Sequence, residues 1–253
     1  FIDVGQGDSI QIRADGQTAL IDAGENDQGK TVIDYLLTQG VDRIDLLIMT
    51  HPHSDHIGGM DDVIEAFEIG KILMPRLPDD ITPTTQTYTD VLQAISAKGL
   101  KITASQPGQS FPLGEGTFTV LGPVEKYEDL NDTCLVGKFR YGTMDFLFTG
   151  DQEKGAEADL LEYGADVRAE VLKVGHHGSK TSTSPDFYQA VDPDYCVIEV
   201  GDGNDYGHPN AETLETISSN QAEIYRTDFQ GSIQFLLKDG QLQIQTERGG
   251  AAA

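Results

Sequence analysis

Short apolar runs alternate with stretches of helical spacing along most of the chain. Residues 9–13 and 18–21 flank Ala14-Asp15-Gly16, a combination that predicts a β-hairpin. Further strands are predicted at 45–49, 71–74, 117–121, 135–141, 145–149, 169–174, 194–200, 224–226, 232–237 and 241–246. Helices are predicted at 29–39, 60–67, 84–98, 153–163, 186–190 and 211–218. Two runs of strands, each with helices, predict an α/β fold in which two sheets pack face to face with helices outside.

The length of 253 residues suits a single α/β unit, and neither an internal repeat nor a low-complexity linker divides the chain. We therefore predict one domain over residues 1–248, followed by a disordered or extraneous tail over residues 249–253. No run of about 18 apolar residues is present to span a bilayer, and no secretory signal opens the chain. Because residues 1–4 read as a core strand, we expect an upstream segment to have been removed.

The balance of charge limits the partners that the chain can hold. It carries 17 basic and 42 acidic residues, a formal net charge of -25. This charge opposes non-specific adhesion to DNA or anionic membranes, so we expect no stable nucleic-acid complex. It does not exclude a nucleic-acid substrate, because divalent metals and a few lysines can invert the local field. The alternative explanation is a solubilising surface of an exported or high-salt protein. Cys134 and Cys196 are predicted to be small buried side chains and indicate no compartment.

The run from Thr50 to Gly59 concentrates metal-binding chemistry. It contains three imidazoles and a carboxylate, on His51, His53, Asp55 and His56. These residues follow a predicted buried strand, so they can converge on one point while the strand holds the loop. Neutral imidazole and carboxylate are ligands that zinc accepts. Because this run holds half of the six histidines in the chain, it predicts a metal site rather than a His-rich polar loop.

Two later segments also place ligands just beyond a strand. The strand pattern at 146–149 is followed by Asp151, whose carboxylate can bridge two cations; a helix cap or turn acid is the alternative. The pattern at 171–175 leads to His176 and His177, with a surface turn as the alternative. At most one of these two histidines is predicted to bind metal directly, and the other to contact substrate or support the site. Because the ligands exceed what one tetrahedral ion needs, we predict a two-metal site.

Two lysines and a further histidine are predicted to act on the substrate. Lys173 and Lys180 stand beside the predicted metals, where cations would stabilise an anionic substrate. His208 lies in the loop 205–209. A lone loop histidine is usually structural or solvated. Since the other histidines all belong to one predicted site, we predict that His208 contacts the substrate there.

These pieces together resemble the metallo-β-lactamase fold superfamily. The resemblance is carried by His-Pro-His-Ser-Asp-His at 51–56, Leu-Ile-Asp-Ala-Gly at 20–24 and Thr-Gly-Asp at 149–151, in the family's order and spacing. It implies a four-layer αββα sandwich of two mixed β-sheets and a metal-dependent hydrolase. Many members have a further histidine ligand between the first and third of these motifs, whereas this chain has none. That departure argues against a true β-lactamase and leaves one metal to be completed by Asp151 and water, with Asn131 or Asp132 nearby.

Other segments are similar to the hydrolase domain of the DNA-uptake channel protein ComEC and its stand-alone relatives. They are residues 3–9, 131–136, 172–179 and 206–209, and Cys134 stands where that group often has serine. Choline-phosphate esterases of the superfamily share the pattern. ComEC-type domains often have a depleted first motif. Because this chain keeps all three histidines at 51–56, the resemblance implies real metal binding.

We therefore predict hydrolysis at two divalent ions about 3.5–4 Å apart, with zinc as the expected metal and manganese as the alternative. One ion would be held by His51, His53 and Asp151. The ligands of the other would be Asp55, His56, Asp151 and one of His176 and His177. A metal-bridging hydroxide would attack phosphorus, with Asp55 and Lys173 as catalytic residues. The predicted substrate-binding residues are Asn131, Ser179, Lys180 and His208. Asp8 and Asp22 would orient the ligands.

The expected substrate is a phosphodiester, either a nucleic acid such as single-stranded DNA or a small phosphoester such as a choline-phosphate headgroup. The similarity to ComEC favours a nuclease, whereas the acidic charge and the lack of an aromatic and basic stripe favour the small substrate. The alternatives are a lactone or thioester hydrolase and a non-catalytic binding module with a vestigial metal site. The resemblance also implies an extracellular, cell-surface or membrane-associated location, with attachment to membrane or cell wall through an upstream segment. A cytoplasmic location is the alternative.

Overall fold

The computed structural model of the chain describes residues 1–238 and 240–249, so residues 250–253 of the predicted tail lie outside the described part. Its strands are β1 (Ile10–Ala14), β2 (Gln17–Ile21), β3 (Arg43–Ile48), β4 (Glu68–Pro75), β5 (Ile102–Ser105), β6 (Ser110–Leu113), β7 (Gly116–Gly122), β8 (Val136–Tyr141), β9 (Met144–Phe148), β10 (Val171–Lys173), β11 (Tyr195–Ile198), β12 (Glu223–Arg226), β13 (Ile233–Lys238) and β14 (Gln241–Thr246). Its helices are α1 (Gly29–Thr38), α2 (Ser54–Ile57), α3 (Met60–Ala66), α4 (Gln86–Ala97), α5 (Lys154–Glu162), α6 (Pro185–Val191), α7 (Ala211–Ile217) and α8 (Thr227–Gln230), and a 3₁₀ turn spans Gly175–Gly178.

Every strand and helix predicted from residue 9 onward overlaps an observed element, whereas residues 1–4, expected as a core strand, form none. Phe1 and Ile2 are nevertheless buried, and Phe1 exchanges backbone hydrogen bonds with Ile233. In the hairpin, β1 pairs antiparallel with β2, and Ile10 lies opposite Ile21. The hydrophobic pattern does not predict β5 and β6, which are four-residue strands at sheet edges. Most of their residues are half-buried or exposed, so they carry no apolar signal. The four-residue helices α2 and α8 are not predicted either, because a single turn is too short to show the helical periodicity of apolar residues.

Two mixed sheets form the middle of the fold. The five-stranded sheet has the order β1-β2-β3-β4-β5, and β2 to β5 run parallel. The seven-stranded sheet has the order β12-β11-β10-β9-β8-β7-β6, and β9 to β12 run parallel. The predicted αββα sandwich of two mixed sheets is therefore confirmed. In addition to the two sheets of the sandwich, β13 and β14 pair with each other as a two-stranded antiparallel sheet.

Apolar side chains pack in three clusters that separate the layers. The cluster between the two sheets includes Ile48, Phe118 and Phe148. A second cluster packs α1, α3 and α4 on the outer face of the five-stranded sheet. A third packs α5, α6 and α7 on the outer face of the seven-stranded sheet. Because both faces of the central strands are buried, those strands read as continuous apolar runs in the sequence.

The predicted ligands follow the carboxyl ends of strands in both sheets. His51 lies shortly beyond β3, Asp151 beyond β9 and His176 beyond β10, and Asp22, which is predicted to orient the ligands, follows β2. Since parallel strands end at the same edge of their sheet, each sheet contributes its ligands at one edge. The Leu135 amide donates to the Thr50 carbonyl (2.9 Å) and joins the loops of the two sheets there. Within the described ranges, no helix combines the length and the apolar character that a membrane crossing needs.

Phe118 tests the packing between the sheets, where its ring is fully buried. The substitution Phe118→Ala is expected to lower the free energy of unfolding by about 3–5 kcal/mol, because it removes a buried ring and leaves a cavity. Urea unfolding followed by circular dichroism measures the change. Leu37→Ala, at a position that is 57 % exposed, is the control and should change stability by less than about 0.5 kcal/mol. Equal losses in the two variants would contradict the assigned core.

Candidate metal centre

The loop after β3 carries the His-rich motif, and a close backbone contact restrains it. His51 and His53 lie shortly beyond the end of β3, and Asp55 and His56 lie in the single turn α2. Gly7 has φ +132°, and a Cβ at this position would lie 2.2 Å from the Asp55 carbonyl oxygen. Only glycine therefore lets the loop before β1 approach the motif so closely.

Two groups of ligand atoms that share Asp151 form at this edge of the sandwich, and a third group, of Asp8, Asp22 and His56, adjoins them. One group consists of His51, His53 and Asp151, and the other of Asp55, His56, Asp151 and His177. Within each group the ligand atoms all lie within 4.8 Å of one another. These are the two sets that the sequence predicts for two ions. The structure brings His177, and not His176, into the second set.

Asp151 belongs to both groups because its two oxygens face different histidines. Its Oδ1 lies 3.2 Å from Nε2 of His56 and 3.6 Å from Nε2 of His177. Its Oδ2 lies 3.9 Å from Nε2 of His51 and 3.6 Å from Nε2 of His176. The side chain is buried, so few water molecules can compete for these oxygens. A carboxylate placed in this way can share its oxygens between two cations.

The donor atoms fit a divalent cation. Asp151 Oδ1 and His56 Nε2 are buried and make no hydrogen bond with a described residue, whereas buried polar atoms are normally paired. Burial opposes the charge on both groups, but their mutual attraction outweighs it. The pKa of His56 is raised well above its usual value, and the pKa of Asp151 is lowered well below its own. Such a site attracts positive charge, and its nitrogen and carboxylate donors suit zinc or a similar metal.

Asp22 holds His56 by the nitrogen that faces away from Asp151. His56 Nδ1 donates to Asp22 Oδ2 (2.8 Å). The Thr50 hydroxyl donates to the same oxygen (2.5 Å), and the Thr50 amide donates to Asp22 Oδ1 (2.8 Å). With Nδ1 engaged, His56 presents Nε2 to the ligand group. Asp22 is predicted to orient a ligating histidine, and its hydrogen bond with His56 is the contact that such a role requires.

A buried chain of charges supports His177. Its Nδ1 donates to the Glu199 carbonyl (2.9 Å) and lies 3.2 Å from Asp8 Oδ1. Asp8 Oδ2 in turn lies 2.7 Å from Lys173 Nζ. Burial alone would raise the pKa of Asp8, but Lys173 and His177 outweigh it and lower the pKa to about 2. Asp8 is therefore ionised, and it influences the ligand group through its contact with His177.

This arrangement corrects the catalytic role predicted for Lys173. Its side chain has no exposed area, and its ammonium group contacts Asp8 and the Val174 carbonyl (3.2 Å). Lys173 therefore cannot contact a substrate, and it supports His177 through Asp8 instead. The motifs did not single out Glu199, whose Oε1 accepts from the Ser9 amide (3.1 Å). The signal available for it was a lone carboxylate in the apolar run 195–200.

The segment that presents His176 and His177 has an unusual backbone. The φ angles are +51° at His176 and +53° at His177, a left-handed conformation that costs a non-glycine residue about 1–2 kcal/mol. Two such residues in succession turn the chain sharply after β10. His177 consequently faces Asp55 (Nε2 to Oδ2, 3.2 Å), while His176 Nδ1 lies 3.3 Å from the Thr181 hydroxyl. Local strain of this kind concentrates at functional sites.

His208 joins the site from a different loop, as its predicted substrate contact requires. Its ring centroid lies 5.6 Å from that of His176 and 6.3 Å from that of His177. Burial, with repulsion from His177 and His176, lowers the pKa of His208 to about 4. The imidazole is therefore neutral at pH 7. A neutral ring there can accept or donate a hydrogen bond without adding charge.

The other residues predicted to bind substrate lie at different depths. Ser179 is buried, Asn131 is half-buried and Lys180 is exposed. Asn131 Oδ1 is itself buried and accepts no hydrogen bond from the described residues. Asp132, expected beside one metal, instead accepts from the Glu153 amide (3.0 Å) at the start of α5. One carboxylate oxygen of Asp132 is therefore already used in a hydrogen bond within the fold.

Comparison with known proteins gives consistent results at three levels. The sequence model described as the Metallo-beta-lactamase superfamily matches residues 2–198. The chain is 31% identical to "ComE operon protein 3" of Bacillus subtilis over 94% of this chain and 33% of that protein. It is 32% identical to "Competence protein ComA" of Neisseria gonorrhoeae over 97% of this chain and 33% of that protein. The chain thus spans about a third of the length of these curated relatives.

Solved structures support the fold. CmlA, a diiron beta-hydroxylase from Streptomyces venezuelae, aligns with a TM-score of 0.59 and 14% identity over 88% of this chain and 51% of that chain. The metallo-beta-lactamase fold protein YhfI from Bacillus subtilis aligns with a TM-score of 0.51 and 13% identity over 87% of this chain and 88% of that chain. At these identities the matches establish the architecture and nothing about the reaction.

Lys173→Met tests the buried support of His177. The variant is expected to lose about 3–5 kcal/mol of stability, because it leaves the Asp8 carboxylate buried without its partner. Urea unfolding of the metal-free protein measures the loss. Lys180→Met removes the same charge at an exposed position and should change stability by less than about 0.5 kcal/mol. Adding Asp8→Asn to Lys173→Met should restore part of the loss, and a single variant as stable as Lys180→Met would contradict the buried pair.

Proposed function

The chain belongs to the metallo-beta-lactamase superfamily, as its motifs implied, and we propose that it is a phosphodiesterase that cleaves nucleic acid at two divalent ions. Membership marks it as a metal-dependent hydrolase with a His and Asp cluster suited to metal. The observation that carries the finer proposal is that Asp151 belongs to two donor groups at once. One ion requires only one of these groups, so the shared carboxylate favours a pair of ions.

In this proposal His51, His53 and Asp151 hold one ion, and the ligands of the other are Asp55, His56, Asp151 and His177. Bound divalent ions would supply Lewis acidity and a nucleophile available at neutral pH, with zinc expected and manganese as the alternative. The contacts of Asp22 and Asp8 keep the histidines in place, so little reorganisation is needed when charge develops on the substrate. Asp55 is the most exposed carboxylate of the groups, with 24% of its side chain accessible. It is therefore the one that can reach a substrate or orient an attacking water molecule.

Nucleic acid is favoured as the substrate by the names of the relatives, one of which refers to competence and another to the ComE operon, together with the resemblance to the DNA-uptake protein ComEC. A role in DNA uptake, with single-stranded DNA as the substrate, follows as part of the proposal. The net charge of -25 favours brief encounters over a stable complex, since neutralising many phosphates requires a basic groove. Lys180 provides exposed positive charge beside the site. We further propose that the domain acts at the cell surface or outside the cell.

Metal content and turnover of bis-p-nitrophenyl phosphate, measured on one purified sample, test this proposal. The wild-type protein should hold about two metal ions per chain and lose its activity in excess chelator. Asp151→Ala should lose metal and lower turnover by more than about 100-fold, since even residues that only support a metal ligand contribute about 10- to 100-fold. Asp42→Ala, an exposed carboxylate at the amino end of β3, is the control and should keep both properties.

Each other outcome assigns the chain to a different class. Two bound ions without phosphodiester turnover would contradict the phosphodiesterase and favour a lactone or thioester hydrolase. Sites that stay empty when zinc or manganese is supplied would favour a binding module with a vestigial centre. Full activity in excess chelator would refute metal-dependent hydrolysis altogether.

A further inference from the structure

Three aromatic rings form a continuous stack from the candidate metal centre to solvent. The rings of His177 and His208 lie 6.3 Å apart between centroids, with 28° between their planes. The rings of His208 and Tyr206 lie 5.6 Å apart, with 23° between their planes. His177 belongs to a ligand group, whereas Tyr206 is 69% exposed. The stack therefore ends on an open aromatic face, two ring spacings from His177.

The loop that carries Tyr206 is held by the side chain of Asn204. The oxygen Oδ1 of Asn204 accepts from the amides of Tyr206 (3.2 Å) and His208 (3.0 Å). Its Nδ2 donates to the carbonyls of Gly201 (3.0 Å) and His208 (2.7 Å). One side chain thus makes four hydrogen bonds within a single loop. An exposed ring on so restrained a loop can receive a ligand with little loss of conformational entropy.

A second contact joins this loop to the segment of Lys180. The side chain of Asn210 donates from Nδ2 to the Gly207 carbonyl (2.8 Å) and accepts at Oδ1 from the Lys180 amide (2.7 Å). Lys180 is exposed. An open aromatic face and a cation therefore stand on neighbouring loops at the rim of the candidate centre. A nucleotide needs the same two features, because its base stacks and its phosphate is negatively charged.

The stacked arrangement of the three rings favours a flat ligand. Sites for quaternary ammonium groups enclose the cation between several aromatic faces, whereas Tyr206 extends a row of nearly parallel rings. A nucleobase would lengthen this row by one ring. Stacking of a base on an aromatic side chain typically contributes a factor of about 5 to 150 in binding.

We propose that Tyr206 is the base-stacking residue of the site and selects phosphodiesters in which a nucleoside adjoins the cleaved bond. The proposal rests on the proposed phosphodiesterase activity, since the stack matters for turnover only if a phosphodiester is cleaved at the ligand groups. Because every base has an aromatic face, the selection is for nucleotides in general rather than for a base sequence. Tyr206 is a specificity residue and takes no part in bond cleavage.

Two chromogenic esters that release the same leaving group test the proposal. They are thymidine 5′-(p-nitrophenyl phosphate) and methyl p-nitrophenyl phosphate, and the measured quantity is the ratio of their kcat/KM values. Wild-type protein should favour the thymidine ester. Tyr206→Ala should lower the ratio by about 5-fold or more, and Tyr206→Phe should preserve it, because phenylalanine retains the stacking face. Tyr163→Ala, which removes a ring that is 64% exposed just beyond α5, is the control and should leave the ratio unchanged.

Other results would overturn the proposal in identifiable ways. Equal losses on both esters in Tyr206→Ala would mean that the nitrophenyl ring, and not the base, contacts Tyr206. A larger loss on p-nitrophenyl phosphorylcholine than on the thymidine ester would assign the ring to a quaternary ammonium group.

Binding of thymidine 5′-monophosphate, measured by calorimetry on the metal-loaded protein, separates failure of this proposal from failure of the proposed function. A wild-type protein that cleaves neither ester but binds the nucleotide about 5-fold or more tightly than Tyr206→Ala would refute the phosphodiesterase and keep the stacking residue. Equal affinities in the two proteins would refute the stacking residue.

Discussion

The buried carboxylate of Asp151 is the group on which the site and its surroundings depend. It lies in the seven-stranded half of the sandwich, whereas His51 and His56 come from the five-stranded half. A buried charge is costly unless opposite charge matches it. The contacts from both oxygens of Asp151 to histidines therefore join the two sheets at the edge where their parallel strands end. Asp55, Asp8 and Asp22 belong to the same cluster, and this concentration of carboxylates suits cations.

Around this carboxylate, other residues contact the ring nitrogens of the histidines that face away from Asp151. His56 is held by Asp22, and His177 by Asp8 and the Glu199 carbonyl. Lys173 closes the chain of charges in the interior, although only 17 basic residues stand against 42 acidic ones in the whole protein. A cation used in this way cannot meet the substrate. The substrate-facing positive charge must come from elsewhere, which gives weight to the metal ions and to Lys180.

The rim of the site is open to solvent, whereas its interior is buried. The side chain of Asn204 accepts from the Tyr206 amide and that of Asn210 donates to the Gly207 carbonyl, and these bonds hold a loop whose Tyr206 ring is open to solvent. No aromatic and basic stripe is visible along the chain, because Tyr206 belongs to a different segment from His177 and Lys180. The fold brings them together at one rim. An acidic protein can therefore present a small surface for a nucleotide without a long basic groove.

Much of this protein was determined by its sequence alone. Apolar spacing is a local property, so the strands and helices with a buried face were predictable, whereas the edge strands β5 and β6 and the single turns α2 and α8 were not. The motif at 51–56, together with Asp151 and the two histidines after β10, named the residues that gather at the site. Tertiary structure alone decided which way each side chain points. The left-handed backbone at 176 and 177 chose His177 for the ligand group, and burial beside Asp8 took Lys173 away from the substrate. The loop of Tyr206 is held by its own Asn204, and only the contact between Asn210 and the distant Lys180 brings it beside the cation. The direction and the burial of a side chain depend on residues far apart in the chain, so no local sequence pattern predicts them.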